Sequence, residues 1–461
     1  MIRLFKHYIP HAVLLLGLID FALLLLANDL AWELRAAQID TPAGAFSDRL
    51  PALLGFAVVT QASLVAVGVF GSDALRSPRV AGAKLLVGVS LAALGLAFVE
   101  FVLPGETYWR STLLYAMVLA ILLLMLNRLV IGRTLGDAAF RRRVLVLGAG
   151  PRALRLDTLG EQPESGFVIV GFVAMSSGAQ SIDGATPRAA IPDLSRFVRD
   201  RGATEVVLAI EERRNALPLK DLLRVKTAGV HVNDFSSFME RETGRVDLDT
   251  LNPSWLIFSD GFSSGRMLSG FAKRVFDLLA SGLLLLLTFP LIALFALLVK
   301  LDSRGPAFFR QTRVGLYGQP FEVVKLRSMR TDAEKDGAQW ARKDDPRVTR
   351  LGKLIRKLRI DELPQVWNVL TGRMSFVGPR PEVPRFVDDL EDKLPFYAER
   401  HMVKPGITGW AQINYPYGAS VEDARAKLEY DLYYAKNYTP FLDLLILLQT
   451  LRVILWPEGA R

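Results

Sequence analysis

The stretch from Leu278 to Val299 reads LLASGLLLLLTFPLIALFALLV. It holds 22 residues without a charge, and about 20 apolar residues are enough for a helix to cross a bilayer. Lys273 and Arg274 precede the stretch and Lys300 follows it, so both ends carry the positive charge that is typical of the cytoplasmic face. A spanning helix would also carry the polar remainder of the chain across the membrane. The flanks therefore favour a helix whose two ends lie on the same side.

Pro290 lies near the middle of this stretch. Proline removes one helical hydrogen bond and kinks a helix, which suits a hairpin-like segment that enters one leaflet and returns. We predict a re-entrant helix over residues 278–299 with its break at Pro290.

Four further apolar stretches precede this one, each close to the length of a membrane span. They are residues 12–27, 53–71, 85–103 and 113–131. Basic residues are concentrated before the first stretch, between the second and third, and after the fourth, whereas the loop at 28–52 is rich in acids. The positive-inside rule then predicts four transmembrane helices in residues 1–135, with the N-terminus and everything after residue 135 in the cytoplasm.

Asp20 and Glu100 lie in or near these apolar stretches. Ionisable residues in a membrane can mark an ion path, but two isolated acids do not define a transporter. We favour polar contacts inside the helix bundle or positions at the interface.

The middle of the chain predicts a Rossmann-like α/β domain over residues 141–245. An apolar run, Val144–Leu147, opens into a Gly-x-Gly-x-x-Ala turn at residues 148–153, a pattern that can bind a pyrophosphate. Further strands are predicted at 167–174 and 205–210, and a helix at 217–228. No acid ends the second strand to bind a ribose, and no Tyr-x-x-x-Lys pair occurs. These absences favour a structural, regulatory or assembly role over a bound cofactor.

The composition excludes several kinds of site. The 461 residues include no cysteine, which excludes disulfide scaffolds, Cys-based metal centres and thiol nucleophiles. The four histidines are scattered, so a metal would be a hard cation on carboxylates. The net charge of +9 fits anionic lipid or phosphorylated substrates, and without a recognition motif we expect no nucleic-acid partner.

An acidic pair, Asp361 and Glu362, stands out in the basic C-terminal third. Pro364 is typical of a first helical turn, so the pair is predicted at the N-terminus of a helix that continues to Leu370. By itself this would be an ordinary acidic cap. Arginines surround it in sequence, at positions 347, 350, 356 and 359 and in the Gly-Pro-Arg-Pro turn at 378–381. That setting suits a phosphate bound through a divalent ion.

Several ordered motifs in residues 271–461 resemble those of the bacterial sugar transferase family, the monotopic phosphoglycosyl transferases. The motifs are Lys273-Arg274-x-x-Asp277, Arg310-Gln311-x-Arg313-x-Gly315, Lys325-x-Arg327-x-Met329, Asp361-Glu362-Leu363-Pro364-Gln365, Met374 to Glu382 and Lys404 to Gly409. The whole chain resembles the long polyprenyl-phosphate hexose-1-phosphate transferases, and residues 252–258 are similar to the exosortase-associated EpsB-like branch. A linker at 246–270 would join the middle domain to this catalytic domain.

The resemblance implies an α/β monotopic catalytic domain with a re-entrant helix, and a set of site residues. Asp361 would be the nucleophile, and Glu362 with Asp361 would hold Mg²⁺. Substrate phosphate or nucleotide would be bound by Lys325, Arg327, Arg313, Arg356, Arg380, Gly378, Pro379 and Pro381. The family usually breaks its helix with Ser-Pro, whereas this chain has Phe289-Pro290 with Thr288 one residue earlier.

The resemblance also implies an activity. The protein would transfer hexose-1-phosphate, with glucose expected, from a UDP-hexose to undecaprenyl phosphate and start an exopolysaccharide repeat unit. It would lie in the bacterial inner membrane with its catalytic domain in the cytoplasm. Whether the protein forms a homodimer is left open. Two alternatives stay open: a non-catalytic membrane scaffold or regulator, and a membrane-anchored NAD(P)-dependent nucleotide-sugar enzyme.

The end of the chain, residues 440–456, is an apolar run interrupted by Asp443, Gln449 and Arg452. It is too short and too polar to span a bilayer comfortably. We expect a helix at the membrane interface, with a helix packed in the domain core as the alternative.

Overall fold

The computed structural model describes most of the chain in two compact units, Met1–Thr243 and Gly244–Arg461. The described residues are 2–4, 7–9, 11–70, 78–102, 110–134, 141–162, 165–175, 181–211, 217–251, 267–333, 345–416, 418 and 420–455. The 252–258 stretch, most of the expected linker and the side chain of Glu100 lie outside the described residues.

Four long helices form the first part of unit one. After a short antiparallel hairpin of β1 (Ile2–Leu4) and β2 (His7–Ile9), they are α1 (His11–Gln38), α2 (Phe46–Val67), α3 (Pro78–Val102) and α4 (Arg110–Thr134). They contain the predicted stretches at 12–27 and 113–131 and most of those at 53–71 and 85–103, because α2 ends at Val67 and α3 at Val102. Among the described residues, these four helices and a fifth stretch at Gly270–Asp302 are long and apolar enough to cross a membrane. The chain is a membrane protein.

Asp20 lies in the interior of this helix bundle. Its carboxylate is fully buried and accepts hydrogen bonds from Arg128 at 2.6 Å and 3.2 Å and from Asn127 at 2.8 Å. A buried charge is tolerated when it is paired and hydrogen-bonded. The predicted polar contact inside the bundle is confirmed for this residue.

A five-stranded parallel sheet follows, with strand order β5-β4-β3-β6-β7. Its elements are β3 (Arg142–Leu147), α5 (Pro151–Glu161), β4 (Phe167–Ala174), β5 (Thr186–Pro187), a 3₁₀ turn (Arg188–Ala190), α6 (Leu194–Asp200), β6 (Glu205–Leu208), α7 (Leu219–Thr227), β7 (His231–Asp234) and α8 (Phe235–Thr243). The chain winds outward from β3 in one direction and then in the other, which is the Rossmann-like topology that the sequence predicts.

The glycine turn after β3 has the close packing that its pattern requires. Gly148 has φ +138°, and a Cβ there would collide with the backbone of Ala209. Gly150 precedes α5, and a Cβ built on it would lie 2.7 Å from Oε1 of Glu211. A carboxylate beside this turn repels a pyrophosphate. The position of Glu211 agrees with the expectation that this domain has a role other than cofactor binding. That role stays a prediction.

The second unit consists of a long helix, a β-hairpin, a two-stranded parallel pair and shorter helices. In chain order these are α9 (Met267–Asp302), β8 (Phe308–Val314), a 3₁₀ turn (Leu316–Gly318), β9 (Pro320–Leu326), α10 (Arg350–Lys357), a 3₁₀ helix (Ile360–Gln365), α11 (Val366–Leu370), β10 (Ser375–Val377), α12 (Pro384–Lys393), a 3₁₀ helix (Tyr397–Met402), β11 (Gly406–Thr408), α13 (Trp410–Asn414), α14 (Val421–Asn437) and α15 (Pro440–Leu455). β8 and β9 pair antiparallel, and β10 and β11 pair parallel.

Two expectations at the edges of this unit need correction or refinement. Val246 and Leu248 are buried in its core, so the first residues of the expected linker belong to the catalytic unit. In α15, Leu442 and Ile446 are fully buried, whereas the side chain of Leu444 is 51% exposed. One face of α15 is therefore packed in the core, as the alternative predicted.

The helix α9 runs without interruption through Pro290, so the predicted break in the helix is wrong. Proline removes only one hydrogen bond, and the apolar residues on both sides of it keep the helical conformation. The Thr288 hydroxyl donates to the carbonyl oxygen of Leu284 at 2.7 Å. Such a bond bends a helix, so Thr288 and Pro290 together weaken α9 at one place.

Both ends of α9 pack against the same unit. Near its start, Asp277 accepts a hydrogen bond from the amide of Phe376 at 3.2 Å. Just after its end, Arg327 donates to the carbonyl oxygen of Ser303 at 2.7 Å. Between these anchors the side chain of Leu286 is 74% exposed. The middle of the helix therefore presents an apolar surface that the domain leaves uncovered.

We expect Gly378→Ala to destabilise this unit. A Cβ there would overlap the carbonyl oxygen of Lys404 and lie 2.9 Å from the amide nitrogen of Gly406. Overpacking of this kind costs about 1–3 kcal/mol. Thermal unfolding of the detergent-purified protein measures the loss. Gly282→Ala, at a helical position where the added Cβ meets no atom within 4 Å, is the matched control and should not lower the transition, because alanine favours a helix more than glycine does. Equal midpoints for both variants would contradict the close packing.

Candidate active site

The acidic pair lies in a 3₁₀ helix that follows a sharp turn. Thr349 caps α10 by accepting from the amide of Gly352, and the helix ends at Lys357. Arg359 then adopts a left-handed conformation with φ +57°, which turns the chain into Ile360–Gln365. Asp361 and Glu362 occupy the first turn of this segment, and α11 continues it. The predicted helix start is confirmed, with its first part wound as a 3₁₀ helix.

Buried apolar residues hold the charged side chains in place. Leu326, Ile355 and Ile360 pack with Val299 of α9 in one buried cluster. Each of the first three is next in sequence to a charged residue of the site, respectively Lys325, Arg356 and Asp361. The cluster therefore fixes β9, α10 and the 3₁₀ helix relative to one another.

Glu362 is anchored by three cations. Arg380 donates to its Oε1 at 2.8 Å, and Lys325 and Arg359 lie 3.5 Å and 3.7 Å from the same atom. Burial alone would raise the pKa of Glu362, but Arg380 and then Lys325 outweigh it and hold the pKa far below its usual value. Glu362 therefore stays ionised and has little freedom to move.

Asp361 has a different environment although it is the next residue. Its side chain is buried, and Oδ1 has no hydrogen-bond partner in the part of the chain that the structure describes. Burial, and then the charge of Glu362, raise the pKa of Asp361, with Lys325 and Arg356 opposing. The neighbouring cations alone would lower the pKa of Asp361 and hold the carboxylate ionised. The shift has the opposite direction because burial outweighs the cations.

Three of the predicted phosphate-binding cations gather around the acidic pair. Burial and the nearby Arg380 lower the pKa of Lys325 to about 8, against the pull of Glu362. Arg356 is half-buried beside Asp361, and its guanidinium has no hydrogen-bond or ion-pair partner among the described residues. These donors surround an unpaired carboxylate oxygen, which is an arrangement suited to a bound phosphate.

Arg327 and Arg313 have other contacts. Arg327 donates to carbonyl oxygens at the end of α9, those of Val299, Ser303 and Arg304, so it caps that helix instead of facing the acidic pair. Arg313 donates to the carbonyl oxygen of Pro381 at 3.0 Å. The structure gives both residues structural contacts that the sequence pattern did not reveal.

The turn at residues 378–381 forms a backbone crossing. The amide of Gly378 donates to Thr408, and the amide of Gly406 donates to Pro379, both at 2.9 Å. These bonds and the contact of Arg313 with Pro381 fix the turn and thereby aim Arg380 at Glu362. A nucleotide-binding role for Gly378, Pro379 and Pro381 stays a prediction.

A buried ion pair that the sequence analysis missed supports Arg380. Arg400 donates to Asp431 at 2.7 Å, to the hydroxyl of Tyr397 at 2.6 Å and to the carbonyl oxygen of Arg380 at 3.1 Å. Arg400 and Asp431 are both almost fully buried. The available signal was Asp431, the one acid in the run of aromatic and apolar residues at 430–435, where an unpaired charge would be costly.

Asp361 and Glu362 have the chemistry to be the protein's ligands to a magnesium ion. No group of three or more His, Asp or Glu side chains forms a metal site within the described residues. Mg²⁺ commonly uses only one or two carboxylates and takes its other ligands from water and substrate phosphates. The unpartnered Oδ1 of Asp361 beside Glu362 meets this requirement.

Comparisons with known proteins match two parts of this chain. The bacterial sugar transferase family matches residues 268–457, and a family described as CoA-binding domain matches residues 65–231. An Aeromonas hydrophila UDP-N-acetylgalactosamine-undecaprenyl-phosphate N-acetylgalactosaminephosphotransferase is 46% identical over 240 residues, which are 52% of this chain and 56% of that protein. A Klebsiella pneumoniae UDP-glucose:undecaprenyl-phosphate glucose-1-phosphate transferase is 33% identical over 318 residues, 67% of each chain.

A third relative, an undecaprenyl-phosphate glucose phosphotransferase of Komagataeibacter xylinus, is 47% identical over 194 residues, 41% of this chain and 36% of that protein. The chain thus spans between 36% and 67% of the length of these three relatives. The chain belongs to the bacterial sugar transferase family.

The pH dependence of activity should have limits set by Asp361 and Lys325. Activity is expected to fall at low pH as Asp361 is protonated, at a higher pH than for an ordinary aspartate because its pKa is raised. It should fall again as pH rises through about 8, because Lys325 then loses its charge. In Lys325→Arg the upper limit should move upward, since a guanidinium stays protonated.

The measurement is kcat/KM for sugar transfer between pH 5 and 10. Lys393→Arg, at an exposed lysine paired with Asp389, is the matched control and should keep the limit near 8. If the upper pH limit of activity is unchanged in Lys325→Arg, a group other than Lys325 sets that limit.

Arg400→Lys should reduce catalysis more than stability. A lysine keeps the charge opposite Asp431 but cannot donate in the same planar geometry to Arg380 and Tyr397. Loss of the bond that holds Arg380 should lower kcat/KM about tenfold, the equivalent of about 1.4 kcal/mol. Kinetics and thermal unfolding of the same samples measure both effects. Tyr397→Phe, which removes only one hydroxyl, is the control. A loss of stability in Arg400→Lys at full activity would contradict the role of Arg400 in positioning Arg380.

Proposed function

We propose that the protein is an undecaprenyl-phosphate sugar-1-phosphate transferase that takes hexose-1-phosphate from a UDP-hexose. The observation that carries the proposal is the difference between two adjacent acids: a buried oxygen of Asp361 has no partner in the described part of the chain, whereas Glu362 is fixed by cations. The printed names of the Aeromonas and Klebsiella relatives support this reaction class.

In the first step, Asp361 acts as the nucleophile. A carboxylate oxygen forms a bond to the sugar-linked phosphorus of the UDP-hexose, and the bond from that phosphorus to the bridging oxygen breaks. UMP leaves with the bridging oxygen, and the hexose phosphate stays on Asp361 as an acyl phosphate. Covalent catalysis separates one transfer between a soluble donor and a lipid into two easier steps.

The cations of the site have separate roles in this proposal. Arg356, which has no partner among the described residues, and Lys325 would bind the phosphate oxygens, and Arg380 would hold Glu362 in position. Glu362 and Asp361 would hold Mg²⁺, which when bound neutralises phosphate charge. Burial of Asp361 also removes water from the carboxylate before the donor arrives.

In the second step, an oxygen of undecaprenyl phosphate attacks the same phosphorus. The bond to Asp361 breaks, and the carboxylate is free again when the lipid-linked diphosphate sugar leaves. This acceptor lies in the membrane, and α9 presents exposed apolar side chains next to the domain. We propose that α9 inserts as a bent, re-entrant helix, which keeps the catalytic domain on the cytoplasmic face of the bacterial inner membrane.

Glucose is the sugar that we propose, as a first step of exopolysaccharide synthesis. N-acetylgalactosamine is the second candidate, because it is the sugar in the name of the Aeromonas relative. Membership of the EpsB-like branch and a homodimer stay proposals from the sequence. The middle domain is proposed to have a structural, regulatory or assembly role.

The decisive assay follows labelled sugar from UDP-glucose or UDP-N-acetylgalactosamine to undecaprenyl phosphate in detergent with Mg²⁺. The intact protein should release UMP, and Asp361→Asn should lose at least about 1,000-fold in rate because it lacks the nucleophile. Asp392→Asn, at an exposed acid of α12, is the matched control and should keep full activity. Removal of Mg²⁺ with EDTA should stop transfer.

The alternatives give other outcomes in this assay. Equal turnover by the intact protein and Asp361→Asn would contradict the covalent mechanism. Turnover that survives loss of Asp361 and requires NAD(P) would favour a nucleotide-sugar enzyme. No turnover with any UDP-hexose would favour the non-catalytic scaffold.

A further inference from the structure

Three cationic residues lie together beside the first turns of α9: Arg274, Arg373 and Lys404, which we name the α9 cationic cluster. Arg274 donates to the carbonyl oxygen of Val369 at 2.7 Å, near the end of α11. It also lies against the turn that follows, since a Cβ built on Gly372 would be 3.2 Å from its guanidinium. Arg274 is therefore next to Arg373.

The register of β10 and β11 brings Lys404 to the same place. These strands are parallel, with Ser375 opposite Gly406. Arg373 lies two residues before Ser375, and Lys404 lies two residues before Gly406. Both residues therefore precede the same end of the strand pair. The sheet register thus places the backbone of Arg373 beside that of Lys404, and Arg274 is close enough for its charge to act on Lys404.

The cluster has more positive charge than its neighbours neutralise. Lys404 is half-buried and has no hydrogen bond or ion pair with any residue in the described part of the chain. The nearest acid, Asp277, already accepts from Ser375 at 3.1 Å and from the amide of Phe376 at 3.2 Å. Burial and then Arg274 lower the pKa of Lys404, and they outweigh the opposing charge of Asp277.

The surroundings of the cluster indicate what would supply that counter-ion. The side chains of Phe271 and Leu279, on the first turns of α9, are 68% and 70% exposed. α9 contains the most apolar candidate span among the described residues, with mean hydropathy 2.7 over Gly270–Asp302. Cations at the end of an apolar membrane helix lie at the level of the lipid headgroups.

We propose that Arg373 and Lys404, backed by Arg274, bind the phosphate of an anionic phospholipid. This site is separate from the catalytic one. Asp361 and the carbonyl of Val369 are eight residues apart through a 3₁₀ helix and α11, which separates them by about 12–16 Å along the helix axis. A phosphate on the cluster therefore cannot be the phosphate that reacts at Asp361.

The test measures lipid binding by the full chain, purified in detergent and depleted of lipid. Native mass spectrometry counts the phosphatidylglycerol or phosphatidylcholine molecules that bind during a titration with each lipid. The wild type should bind at least one phosphatidylglycerol in preference to phosphatidylcholine. The double variant Arg373→Gln with Lys404→Gln should bind it roughly 30-fold more weakly, as expected for two basic residues near an anionic surface.

Arg385→Gln is the matched control, because Arg385 is an exposed cation on α12 away from α9, and it should bind as the wild type does. Equal affinity of the double variant and the wild type would overturn the proposal. Tighter binding of undecaprenyl phosphate than of phosphatidylglycerol, lost in the double variant, would assign the cluster to the acceptor lipid and also overturn the proposal. Binding is measured without turnover, so this result is independent of the proposed chemistry.

Discussion

The ion pair between Glu362 and Arg380 is the interaction on which the site depends. It joins the 3₁₀ helix to the turn after β10, and Lys325 adds β9 to the same carboxylate oxygen. Three segments that are distant in sequence meet at one buried charge. A buried carboxylate is stable only if it is neutralised, so the folded unit has to bring these cations together. The energy of burying Glu362 is therefore coupled to the geometry of the whole catalytic centre.

This constraint also explains how two adjacent acids can differ. Successive side chains in a 3₁₀ helix point about 120° apart, so Glu362 makes the close contacts with Arg380 and Lys325 while Asp361 points to a different part of the same buried site, near Arg356. Glu362 takes most of the neutralising charge, and its own charge then raises the pKa of Asp361. The different environments of Asp361 and Glu362 therefore follow from their order in the 3₁₀ turn.

The sequence predicted the features that depend on local patterns. The four apolar helices, the strand at Phe167–Ala174 and the helix start at Asp361 follow from periodicity, length and proline position. Contacts between distant segments left no local pattern. Arg327 was expected to bind phosphate, yet its N–H groups donate to carbonyl oxygens at the end of α9. The Arg400–Asp431 pair joins two segments that are distant in sequence, so no local pattern indicates it. Burial likewise decided the pKa of Asp361 against the charges visible in sequence.

The long helix α9 shows why a polar domain can hold an apolar helix without losing contact with it. Hydrogen bonds at Asp277 and Ser303 tie both ends to one unit, so the exposed middle around Leu286 cannot leave for the opposite side of a membrane without breaking them. Thr288 and Pro290 weaken the helix at that middle. In the proposed re-entrant arrangement, a helix fixed at both ends would bend at this weakened centre. Such a bend would keep the acidic pair's cations and the α9 cationic cluster on the side of the membrane from which the helix enters.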